Sequence, residues 1–147
     1  MSKDERISTQ FIIRDGFFGT DGTDKVRARE EYIHNIVSAD YAIVTRGAEN
    51  LSYRLYEVLS CGRVPVFIDT DCVLPYDHIV DWRQYMVWVD RNDIASIADR
   101  IVEFHNSMTS ERFMQLQRSI RRLYEEWISP VGFFRNLWRC LGAPGTT

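Results

Sequence analysis

The sequence predicts an α/β domain in which helices flank a mostly parallel sheet. Short apolar runs rich in β-branched residues alternate with longer segments whose apolar residues recur every three or four positions. From residue 94 onward only the second pattern occurs. Alternating strands and helices imply right-handed crossovers and parallel strand pairing. The plan is Rossmann-like, with a helical layer added at the C-terminus.

Four short apolar runs are the predicted strands. They cover residues 11–13, 41–44, 64–68 and 85–89. The run at 41–44 is continuously apolar, which is typical of a strand buried on both faces. Pro65 lacks an N–H donor and is tolerated in the third run because it lies near the first residue.

The helices are predicted from apolar stripes and from their end signals. A loop rich in glycine, aspartate and threonine is expected at 15–24, before the first helix. Gly62 stands where a helix ends in a left-handed residue, and Ser129-Pro130 is the usual start of a helix. The predicted helices cover residues 26–39, 51–61, 94–105, 113–127 and 130–141, with Gly142 and Pro144 closing the last.

Size, charge and cysteine content limit the kinds of protein to which this chain can belong. A chain of 147 residues is enough for one domain, so residues 1–147 are predicted to form a single unit. The formal net charge of −3 gives no basic face for nucleic acid. Three scattered cysteines without a C-x-x-C pair predict neither zinc nor disulfides. No apolar run is long enough to span a membrane, so we expect a cytoplasmic protein, at most peripheral to a membrane.

The densest chemical information lies between the second predicted strand and the helix that follows it. Ligands in parallel sheets bind where strands end and helices begin, and the first N–H groups of a helix attract phosphate. Arg46 and Gly47 lie in this loop, with Ser52 and Arg54 at the helix start. The hydroxyl and the two guanidinium groups are suitable donors to an anion. Glu57, one turn after Arg54, is suited to accept hydrogen bonds from two ribose hydroxyls.

Residues 46–82, RGAENLSYRLYEVLSCGRVPVFIDTDCVLPYDHIVDW, resemble the exostosin family of glycosyltransferases. The similarity consists of Arg-Gly, Ser-x-Arg-x-x-Glu, Gly-x-Val-Pro-Val, Leu-Pro and Asp-Trp, in that order. Several spaced elements agree, so the resemblance is more specific than a single glycine motif.

The resemblance implies an inverting glycosyltransferase of the two-domain GT-B type, with this chain as the C-terminal, donor-binding half. Ser52 and Arg54 would contact the diphosphate of a nucleotide sugar, with UDP as the expected nucleotide, and Glu57 would contact the ribose. Arg46 would neutralise the leaving group, which makes Arg46 and Arg54 the catalytic candidates. No metal or other cofactor is expected. The acceptor, a glycan or similar hydroxyl, would bind through a missing or separate domain. An oligomer or a partner chain could provide that domain.

Other interpretations stay open. Arg54 and Glu57 are spaced for a surface ion pair, and Ser52 for a simple helix cap. Asp69 and Asp71 form an Asp-x-Asp after a predicted strand, which can hold Mn²⁺ or Mg²⁺ in a metal-dependent transferase. A non-catalytic module that binds a nucleotide sugar or a protein partner is a further alternative.

Overall fold

The computed structural model describes residues 4–13, 25–47, 49–50 and 52–141. Within them, three parallel strands form a sheet in the order β1-β2-β3. The strands are β1 (Tyr41–Val44), β2 (Val64–Asp69) and β3 (Val87–Asp90). The α-helices are α1 (Lys25–Val37), α2 (Tyr53–Ser60), α3 (Ile97–Asn106), α4 (Ser110–Leu123) and α5 (Pro130–Leu141). This confirms the predicted α/β class with parallel pairing.

The central strand β2 lies in the middle of the hydrophobic core. Its first five residues are buried, and Val64 and Val66 have no exposed surface. Pro65 is its second residue and lies beside Ala42 of β1 in the parallel register. The proline is thus accommodated near the start of the strand, where a missing N–H donor costs least.

Helix α2 follows β1 and packs its apolar face on the sheet. Leu55, Val58 and Leu59 are its buried residues. The helix ends at a left-handed glycine, Gly62, with φ of 63°, and the Gly62 N–H donates to the Leu59 carbonyl at 3.0 Å. A residue with a Cβ is strained in this conformation, so the predicted glycine stop has a physical basis.

The predicted strand at residues 11–13 is wrong. These residues adopt no strand conformation, and Ile13 is 92% exposed. The residue before them contacts α1, because Asn35 donates to the Gln10 carbonyl at 3.2 Å. Three apolar residues in a row do not specify a buried strand unless a neighbouring strand pairs with them.

Other element boundaries also differ from prediction. Strand β3 begins at Val87 because Tyr85 closes a short 3₁₀ turn, Trp82–Gln84, by donating its N–H to the Trp82 carbonyl at 3.0 Å. The long stripe predicted at 113–127 is divided into α4 and a π-helical turn, Tyr124–Ile128. The third predicted helix likewise begins with a 3₁₀ segment, Arg91–Ser96, before α3.

The C-terminal layer is built from α4, the π-turn and α5. The Ser129 hydroxyl accepts from the Gly132 N–H at 3.1 Å, which confirms the predicted start of the last helix. Asn136 is buried and donates to the carbonyls of Glu126 and Gly132, which joins α5 to the π-turn. The predicted loop at 15–24 and the closing residues 142–147 lie outside the described residues.

An aromatic cluster joins β1 to α3 and α4 around Tyr41. Its hydroxyl lies 2.9 Å from Nδ1 of His105, and its ring contacts Phe104 and Phe113. Burial raises the pKa of Tyr41 to about 12, with a smaller contribution from Asp40.

This shift predicts a loss of stability at alkaline pH. The native state favours the protonated phenol, so the stabilisation is complete below about pH 10 and disappears as pH rises to about 12. Because the side chain is partly exposed, we expect a loss of about 1 kcal/mol. Urea unfolding across this range should show a smaller loss for Tyr41→Phe. An equal loss in both proteins would contradict the prediction.

No helix in the described part of the chain is both long and apolar enough to cross a membrane.

Candidate functional site

The candidate site lies where β1 ends and α2 begins. Arg46 and Gly47 are exposed in the connecting loop, and Arg46 borders a small cleft together with Ser52. Asn50 and Thr70 line the same cleft. The structure therefore brings Arg46 and Ser52 to one cleft at the carboxyl edge of the sheet, which is where ligands commonly bind in parallel α/β folds.

Ser52 occupies the N-cap position of α2. Its backbone is extended, and its carbonyl accepts from the Leu55 N–H at 3.1 Å. Its side chain forms no capping hydrogen bond to the helix. Within the described chain, the Ser52 hydroxyl therefore does not cap the helix, although the residue occupies the cap position. A ligand at the start of the helix could bind both this hydroxyl and the first backbone N–H groups.

Arg54 lies in the first turn of α2 and is anchored to the sheet. Its Nε donates to the Ile43 carbonyl of β1 at 2.9 Å, and its guanidinium lies over the ring of Tyr32, 5.1 Å from the ring centroid. The side chain is half-buried. The bond to Ile43 uses one of the five guanidinium N–H donors, and the two contacts together restrict the orientation of the others.

Glu57 lies one turn further along α2 and is exposed. Its Oε2 accepts from the Tyr32 hydroxyl at 2.5 Å. Burial of Tyr32 and this hydrogen bond to the carboxylate raise the pKa of Tyr32. In the part of the chain that the structure describes, Arg54 and Glu57 are bridged by Tyr32 rather than by a direct ion pair.

A pair of hydrogen bonds joins the loop after β1 to the loop after β2. Thr70 donates from Oγ1 to Asn50 Oδ1 at 2.7 Å, and Asn50 donates from Nδ2 to the Thr70 carbonyl at 3.2 Å. The two loops that border the cleft are therefore tied to each other as well as to their own strands.

The Asp-x-Asp pair after β2 is engaged in the loop itself. Asp69 accepts from the Asp71 N–H at 2.9 Å and from Trp88 Nε1 at 3.0 Å, one bond to each carboxylate oxygen. Asp71 pairs with Arg91 at 3.3 Å. No cluster of three or more metal-ligating side chains occurs among the described residues. These contacts occupy one acceptor position on each Asp69 oxygen and pair Asp71 with a cationic side chain.

Cys72 lines the cleft close to this loop. Burial raises the pKa of its thiol, and Asp69 adds to the effect. The thiol is therefore protonated near neutral pH, and it contributes an uncharged wall rather than a nucleophile.

Sequence reasoning missed three residues around this site. Tyr32 was visible only as one member of the apolar stripe of α1, and its contacts with Arg54 and Glu57 depend on how α1 packs beside α2. Asn50 and Thr70 have no spacing that links them, because they follow different strands. Loop residues that directly follow two neighbouring parallel strands were the available signal.

Comparison with known proteins extends the resemblance beyond residues 46–82. The model of the Exostosin GT47 domain matches residues 6–104, more than half of the chain. Exostosin-1 of Drosophila melanogaster is 26% identical over 103 residues, which cover 70% of this chain and 13% of that protein. The Exostosin-1 homolog of Caenorhabditis elegans is 28% identical over 103 residues, which cover 70% of this chain and 26% of that protein. A probable arabinosyltransferase of Arabidopsis thaliana, ARAD1, is 21% identical over 123 residues, which cover 82% of this chain and 27% of that protein.

Proposed function

Because this chain belongs to the exostosin GT47 family, we propose that its site binds the diphosphate of a nucleotide sugar, UDP-linked, for transfer of the sugar to a hydroxyl acceptor. The observation that carries the proposal is the anchored Arg54 at the start of α2, two residues after Ser52 and one turn before Glu57. A guanidinium, a hydroxyl and helix N–H groups together suit a phosphate. The Glu57 carboxylate, one helical turn after Arg54, is suited to bind the ribose that is attached to the diphosphate.

The proposed chemistry is stabilisation of the leaving group. In an inverting transfer, an acceptor oxygen bonds to the anomeric carbon while the bond to the diphosphate oxygen breaks, and negative charge develops on the diphosphate. Fixed donors aimed at that charge lower the barrier. Arg54 and the N–H groups of α2 are such donors, and the exposed Arg46 adds a second cation without requiring a metal.

The proposed site includes neither the acceptor nor the general base. The chain spans only 13% to 27% of the length of the three relatives described above. We propose that the site described is the donor half of a GT-B architecture, and that a further domain or a partner chain holds the acceptor and takes its proton.

Calorimetric titration of the chain with UDP tests the proposal. We expect binding that is the same with and without Mn²⁺. The double variant Arg54→Ala, Glu57→Ala should bind about 100-fold more weakly or worse, because a hydrogen bond to a charged group contributes about 1.5–3 kcal/mol. Arg29→Ala on the exposed surface of α1 is the matched control and should bind as the wild type does.

Two outcomes would contradict the proposal. Failure of the folded wild type to bind UDP would favour a module that does not bind nucleotide sugars. Binding that requires Mn²⁺ and is lost in Asp69→Asn, Asp71→Asn would favour the metal-dependent alternative.

A further inference from the structure

We propose that Tyr32 is a positioning residue that determines how strongly the site prefers a nucleotide with ribose hydroxyls over one without them. The inference rests on the proposed function, since it concerns how Arg54 and Glu57 are held for a nucleotide. Tyr32 lies on α1, outside the loop and helix that carry the other site residues. It contacts both Arg54 and Glu57 through different parts of its side chain.

The hydroxyl of Tyr32 fixes the carboxylate. It donates to Glu57 Oε2 at 2.5 Å, although Glu57 is otherwise an exposed side chain with several available rotamers. The bond occupies one oxygen and leaves Oε1, in a defined direction, for a ligand hydroxyl. Without it, the carboxylate would sample other orientations in water, and its bonds to a ribose would weaken.

The ring of Tyr32 supports the guanidinium. Arg54 lies 5.1 Å from the ring centroid, while its Nε is bound to the Ile43 carbonyl. The ring and the strand together hold the guanidinium from two sides, so the remaining N–H donors keep one orientation. One side chain thus acts on the phosphate-binding group through its ring and on the ribose-binding group through its hydroxyl.

The two roles can be separated by substitution. Tyr32→Phe keeps the ring beneath Arg54 and removes the donor to Glu57, whereas Tyr32→Leu removes both. Three ligands are titrated calorimetrically into each protein: UDP, a dideoxy analogue of UDP that lacks both ribose hydroxyls, and pyrophosphate. The readout is the ratio of the UDP affinity to the affinity for the dideoxy analogue, because a loss of folded protein affects both ligands equally.

For Tyr32→Phe we expect this ratio to fall by about 5- to 10-fold, in line with loss of one hydrogen bond, and pyrophosphate affinity to stay unchanged. Tyr32→Leu should lower the ratio equally and also weaken pyrophosphate binding. In a Glu57→Gln background, Tyr32→Phe should change the ratio no further, since coupled residues are not additive. Tyr53→Phe, an exposed tyrosine on α2, is the control and should leave the ratio unchanged.

The possible failures are distinguishable. A wild type that does not bind UDP would overturn the proposed function and this inference with it. Wild-type binding with a normal ribose preference that Tyr32→Phe leaves intact would overturn only the role of Tyr32. A loss of affinity shared equally by UDP and its dideoxy analogue would likewise reduce Tyr32 to a packing residue.

Discussion

Replacing Leu59 with alanine is expected to lower the free energy of unfolding by about 2–5 kcal/mol, as for other fully buried leucines. Leu59 has no exposed surface and lies on α2, which packs on β2 and α4. Truncation removes apolar contacts and leaves a cavity that the surrounding sheet cannot fill completely. Helix α2 also carries Arg54 and Glu57, so the core beneath it supports the proposed site.

Urea unfolding followed by circular dichroism measures the effect. Val73→Ala is the matched control, because Val73 is 81% exposed and should change the unfolding free energy by less than about 0.5 kcal/mol. If Leu59→Ala were as stable as Val73→Ala, the packing of α2 on the sheet described above would be wrong.

Gly132→Ala is expected to destabilise the C-terminal layer by about 1–2 kcal/mol. A Cβ at this position would lie 2.7 Å from the Glu125 carbonyl oxygen and 2.7 Å from two backbone atoms of Glu126. These are backbone atoms of the π-turn, so α5 as a whole must move to relieve the overlap. Overpacking typically costs about 1–3 kcal/mol, and overlap with backbone atoms belongs to the upper part of that range. The helix propensity of about 1 kcal/mol that alanine gains over glycine offsets part of this cost.

Thermal and urea unfolding of the variant measure this effect. Val131→Ala, one residue earlier on the exposed side of α5, is the control and should be close to neutral. The hydrogen bonds of Asn136 to Glu126 and Gly132 should weaken as α5 shifts. An unchanged or raised stability of Gly132→Ala would mean that α5 does not approach the π-turn this closely.

The regular parts of the fold follow from local sequence. The apolar run at 41–44 and the run that begins at Val64 are strands because burial favours β-branched residues in parallel sheets. Gly62 and the Ser129-Pro130 pair mark helix ends through backbone chemistry that needs no tertiary context. These signals are local, so they could be recognised before any contact was known.

The errors arise where tertiary contacts decide. Residues 11–13 are apolar enough for a strand, but no local signal shows whether a neighbouring strand receives them. The start of β3 depends on Tyr85 closing a turn with Trp82. In the site, Arg46, Ser52, Arg54 and Glu57 are near in sequence and could be proposed from it. Tyr32 is 22 positions from Arg54 in sequence, and only the packing of α1 beside α2 shows that they touch.

The bond from Arg54 to the Ile43 carbonyl has a consequence for the thermodynamics of binding. A free arginine side chain loses about 2 kcal/mol of rotamer entropy when a ligand immobilises it. Here the strand and the aromatic ring restrict the side chain when the protein folds, before any ligand arrives. Most of that entropy is absent from the binding step, so an anion bound by Arg54 keeps more of the enthalpy of its hydrogen bonds as affinity.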